Sequence, residues 1–146
     1  MAEKNVKPVA HEHKHPSEDE MARMEMDYRM LQQRGAEIQQ QLQQIQALLV
    51  ENDAAARSLE AISKNDELLM PLGSGVLAKF RVADKEKVFA EVGGRVVAEK
   101  KIAEAQALLK EKQEKLQKAA EGLQNELNMV GQSIQAIEEK AAEARK

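Results

Sequence analysis

The chain has 146 residues, 22 Lys and Arg against 25 Asp and Glu, a net charge of −3, and neither cysteine nor tryptophan. With aromatics at 2% and charged residues at 32%, large side chains are too scarce to fill a broad compact core. The composition instead points to long helices or coiled coil, excludes disulfide and thiol chemistry, and argues against nucleic acid, which needs concentrated Lys and Arg.

No apolar run reaches the roughly 18 residues of a membrane-spanning helix. The first residues lack the apolar segment of a secretory signal. The expected setting is cytoplasmic.

Residues 1–17 read as a disordered tail, with two prolines and three histidines but no period. His11, Glu12, His13, Lys14 and His15 include good metal donors. Nothing orders them, however, and no outer partner fixes an imidazole, so neither a metal nor a cofactor is assigned.

Ser17 opens a capping box with Glu20, and Glu18 and Asp19 suit the positive end of a helix. The first helix is expected over 18–64. One heptad series is Met24, Leu31, Ile38, Ile45, Asn52 and Leu59. The other is Met21, Tyr28, Gly35, Leu42, Leu49 and Ala56. Such a narrow stripe seals against one or two helices. Asn52 either sets the helix register or is a tolerated defect. Asn65 is a plausible stop through a left-handed cap.

The stretch 65–99 breaks the helical period. Val76, Ala78, Phe80 and Val82 alternate with Lys79 and Arg81, and Val88, Ala90 and Val92 alternate with Lys87 and Glu91. Gly73-Ser74-Gly75 and Gly93-Gly94 are turn signals. Without a P-loop lysine or a following helix, the first is a turn and not a phosphate cradle. Two hairpins result, 67–72 with 76–82 and 87–92 with 95–99. Hairpins this small are marginal alone, and their unpaired edges invite another chain. The segment is therefore expected to complete a sheet or barrel with other subunits.

The second helix is expected over 100–146. Its series are Ile102, Leu109, Leu116, Leu123, Val130 and Ile137, then Gln106, Gln113, Ala120, Leu127, Ile134 and Ala141. Equal helix lengths suggest a long antiparallel coiled-coil hairpin with the β unit at its closed end, an α+β fold. Met26, Met30 and Met129 fall off the seam near the open end. Methionine adapts to irregular apolar partners. Gly35, Gly122 and Gly131 weaken the helices there by about 1 kcal/mol each relative to Ala. Ser, His and carboxylates converge nowhere, and a two-helix arrangement offers no water-excluding cleft, so no enzyme is expected.

From Pro71-Leu72-Gly73-Ser74-Gly75, through the strands Val76 to Val82 and Val88 to Gly94, to Ala98-Glu99-Lys100, the sequence resembles the α class of the prefoldin family. The likeness covers about residues 18–146, and two hairpins select α because the β class has one. It implies an ATP-independent holdase, a hexamer of two α and four β subunits on an intersubunit β-barrel with six coiled-coil tentacles. It also implies capture of unfolded proteins at the tentacle tips and their transfer to a group II chaperonin. On that basis Leu72, Val76, Phe80, Val88, Phe89 and Val96 would form the oligomerisation platform. Met21, Met24, Met26, Met30, Leu31, Met129, Val130, Ile134 and Ile137 would meet substrate. A structural scaffold and a single-partner assembly factor are the alternatives.

Overall fold

A computed structural model describes residues 15–145; the His-containing tail lies mostly outside them. The element order is α1 (Glu18–Lys64), β1 (Glu67–Gly73), β2 (Val76–Arg81), β3 (Lys87–Gly93), β4 (Val96–Lys101) and α2 (Ile102–Ala144). Two compact units divide the described chain. One holds residues 15–36 and 128–145, and the other holds 37–127.

Helix α1 starts where its sequence cap lies. Ser17 Oγ accepts a hydrogen bond from the Glu20 N–H at 3.2 Å, and Ser17 O accepts one from Met21 N–H at 2.9 Å. These satisfy N–H groups that otherwise lack a helical partner. At the other end Asn65 takes no left-handed turn, because Ser74 and Arg95 are the non-glycine residues with positive φ among those described. Asn65 stops the helix differently: its backbone N–H and its Nδ2 both donate to Ala61 O at 3.0 Å. The exposed Lys64 ammonium bonds Glu60 Oε1 at 2.6 Å and holds that carboxyl below its usual range.

In the unit spanning 37–127, Ile38 is fully buried, and Leu42, Ile45, Leu49, Ala56 and Leu59 are half-buried at the expected heptad positions. From α2 the unit buries Ile102 and Ala105, with Leu109, Leu116, Ala120, Leu123 and Leu127 half-buried. The expected seam residues Gln106 and Gln113 are instead exposed. At the start of α2 the companion of Ile102 is Ala105, three residues on. A buried glutamine would need partners for its amide, whereas alanine needs none. Asn52 is buried, and its Nδ2 donates to Leu109 O at 3.0 Å. Its Oδ1 has no hydrogen-bond partner among the described residues.

The β segment is two separate two-stranded antiparallel sheets, β1–β2 and β3–β4. They are built alike. In the first, Ser74 and Gly75 have φ of 49° and 79°; in the second, Gly94 and Arg95 have 57° and 62°. Two consecutive left-handed residues make the turn type whose twist matches a hairpin. Before each turn the register slips by one, so that Leu72 and Val92 are the extra residues of β-bulges. Gly73 and Gly93 follow at φ of 116° and 126°, a region open essentially to glycine. A Cβ there would meet no neighbouring atom, so the requirement is conformational.

The likeness is an internal repeat offset by 20 residues. The pair Leu69↔Lys79 recurs as Phe89↔Glu99, Pro71↔Leu77 as Glu91↔Val97, and Gly73↔Val76 as Gly93↔Val96. The closing hydrogen bonds repeat too: Val82 N–H donates to Asp66 O at 2.8 Å and Ile102 N–H to Glu86 O at 2.9 Å. The linker is tied locally. Asp84 Oδ1 accepts from the N–H groups of Glu86 and Lys87 at 2.8 and 3.2 Å, and Lys85 pairs with Asp66. That hydrogen-bonded ammonium lowers the Asp66 pKa.

Gly122 and Gly131 sit in α2, and a Cβ built at either meets nothing within 4 Å. Neither has a positive φ. Gly122→Ala and Gly131→Ala are therefore each expected to stabilise the chain by about 1 kcal/mol. A helix-monitored thermal melt checks this, and a lowered midpoint would contradict it.

Candidate functional site

Two surfaces offer apolar groups that no other described residue covers. The first is the pair of hairpins. Cross-strand register puts Leu68, Met70, Ala78 and Phe80 on one face of the first hairpin, and Val88, Ala90, Ala98 and Lys100 on the equivalent face of the second. These are half-buried except Met70 and Phe80, which are 48% and 44% exposed. The opposite face is more open. Leu69 and Leu77 in the first hairpin, and their counterparts Phe89 and Val97 in the second, are all exposed, with Phe89 at 77%.

Of the platform residues expected from sequence, Leu72, Val76, Phe80, Phe89 and Val96 are exposed and Val88 is half-buried. Leu69, Leu77 and Val97 are further exposed apolar residues here that the sequence reading does not single out. The 20-residue repeat is the signal that finds them, since it pairs Leu69 with Phe89 and Leu77 with Val97. Burial of a Leu or Phe side chain contributes about 1.5–3 kcal/mol, and isolated hairpins lack any such contribution. The arrangement suits association.

The second surface lies in the unit of residues 15–36 and 128–145. The helices run antiparallel there: Tyr28 Oη donates to Glu138 Oε1 at 3.3 Å. A groove of about 810 Å³ is lined by Met21, Met24, Tyr28, Ile137 and Ala141 among others. Met24, Leu31, Ile134 and Ile137 are half-buried along the seam, and Met21 is 40% exposed. Met26, Met30 and Met129 point away from the seam, at 64%, 62% and 67% exposed. Val130 is 8% exposed, so it packs inside the seam and an incoming chain reaches it only if the helices part. Among the described residues no three His, Cys, Asp or Glu side chains cluster to hold a metal.

Comparison with known proteins decides the family. The family model described as Prefoldin subunit matches residues 31–146. The chain belongs to the prefoldin family. It is similar to prefoldin subunit alpha of Thermofilum pendens, 32% identical over 119 residues, 80% of this chain and 92% of that one. Prefoldin subunit alpha of Methanococcoides burtonii is 30% identical over 84% of this chain and 91% of its own. Among solved structures, a cryo-EM structure of filamentous PFD from Methanocaldococcus jannaschii shares the fold, with a TM-score of 0.65 at 17% identity. It covers 77% of this chain and 96% of that one.

The relatives bear out the α-class prefoldin resemblance and the reading as a chaperone subunit. Two long helices flanking two antiparallel hairpins are the prefoldin arrangement. Membership of the family supports assembly with other prefoldin subunits. No described helix is long and apolar enough to cross a membrane.

Proposed function

We propose that this prefoldin subunit is an ATP-independent holdase of the cytoplasm, acting without catalysis. Through its hairpins it joins β-type subunits, two α with four β, on a shared β-barrel. At the α1 start and α2 end it captures unfolded polypeptides and passes them to a group II chaperonin. The observation that supports capture is the exposure of Met26, Met30 and Met129 outside the seam. An unbranched, polarisable side chain fits many apolar shapes at low cost. Several such surfaces in one assembly raise avidity without any tight single contact.

The test is light scattering of unrelated denatured proteins, diluted into buffer without nucleotide, in the presence of the chain and a β-type subunit. Aggregation should be suppressed for all of them. The triple variant Met26→Ser, Met30→Ser, Met129→Ser should keep its mass and lose most of the protection. These side chains are solvent-exposed already, so the fold does not depend on them. Full protection by the variant would remove these methionines from the client surface, and protection by neither protein would leave a scaffold.

A further inference from the structure

The groove beside Met21 and Tyr28 is apolar along its floor but acidic at its rim. Among its lining residues, Glu18, Glu25 and Glu138 stand against Arg145. Glu18 makes no ion pair among the described residues. Glu25 shares only an exposed pair with Arg29 at 3.7 Å, and Glu138 accepts the Tyr28 hydroxyl. The positive start of α1 is met by Glu18, Asp19 and Glu20, and Arg145 directly follows the last turn of α2.

We propose that this groove selects unfolded segments in which apolar residues are flanked by Lys or Arg, and disfavours equally apolar segments flanked by Asp or Glu. The selection rests on the holdase reading above and specifies its substrate class. The apolar part of such a segment covers Met21, Met24 and Ile137, while its cations sit among the rim carboxylates. Exposed charges interact weakly one at a time and are screened by salt. The discrimination is therefore modest, salt-sensitive, and additive over several carboxylates.

The experiment measures fluorescence anisotropy of three labelled peptides with one Leu-Ile-Phe core, flanked by Lys, by Glu or by Ser. Each is titrated with the full chain assembled with a β-type subunit, at low and high salt. The Lys-flanked peptide should bind about 5-fold more tightly than the Glu-flanked one at low salt, with the gap closing at high salt. Glu18→Gln with Glu25→Gln and Glu138→Gln should also close the gap while leaving the Ser-flanked peptide unchanged. That neutral peptide guards against a variant whose groove has simply collapsed.

Equal binding of all three peptides by the wild type would overturn charge selection while leaving the holdase intact. A gap that persists in the triple variant would overturn the assignment to this rim. Salt-sensitive self-association lost in the same variant would give the groove to a second copy and overturn it too. If no peptide binds and no denatured protein is protected, the holdase reading fails along with the proposal.

Discussion

Leu69→Asp combined with Phe89→Asp should abolish assembly with a β-type subunit while leaving both helices intact. The two residues occupy equivalent positions in the repeated hairpins, on the more open face of each sheet. Within the single chain they are 64% and 77% exposed, so a carboxylate there meets water and costs the monomer little. On the proposed assembly surface the same positions bury apolar side chains. Losing a Leu and a Phe forfeits about 3–6 kcal/mol at about 1.5–3 kcal/mol per side chain. That weakens association roughly 100-fold or more at about 1.4 kcal/mol per tenfold, before the cost of desolvating two carboxylates. Light-scattering mass of the mixture is the measurement, with far-UV circular dichroism as the fold control. A variant that still enters the full assembly would show that this face is not an interface.

A second large effect is expected at Asn52, with opposite signs for two substitutions. Its amide nitrogen is bonded to Leu109 O, but its buried Oδ1 has no partner among the described residues. An unsatisfied buried acceptor costs about 1–3 kcal/mol. Asn52→Leu removes that cost and adds apolar burial, so the thermal midpoint should rise. The gain comes with a loss: a lone polar residue at a heptad core position specifies register, and spin-label distances between α1 and α2 should broaden. Asn52→Asp instead places a charge against the Leu109 carbonyl with no donor between them. That should destabilise by about 3–5 kcal/mol, the cost of an uncompensated buried charge. A lower midpoint for Asn52→Leu than for the wild type would show that the amide contributes more through Leu109 than its other atom costs.

These two results bear on function differently. The hairpin variant separates assembly from folding, because its side chains are outside the single-chain core. The Asn52 variants test whether the helix pair trades stability for a unique register. Client protection by the Asn52 variants reports whether that register matters to function.

Much of the fold was legible in the sequence because its determinants are local. Heptad spacing in Leu31, Ile38, Ile45 and Leu59 states which helix face is buried, whatever covers it. Ser17 and Glu20 mark the helix start. Glycines at 73, 75, 93 and 94 announce turns because few other residues accept those backbone angles. What only the tertiary structure decided depends on partners distant in sequence. The bulges at Leu72 and Val92 set the cross-strand register, and hence that Leu69 and Leu77 share a surface type with Phe89 and Val97. The entry of α2 from β4 placed Ala105, not Gln106, in the seam. The lone hydrogen bond of Asn52, the burial of Val130 and the gathering of Glu18, Glu25 and Glu138 around one groove all follow from antiparallel pairing. The equal helix lengths announce that pairing, but it joins residues nearly the whole chain apart, and no local periodicity fixes which side chains meet.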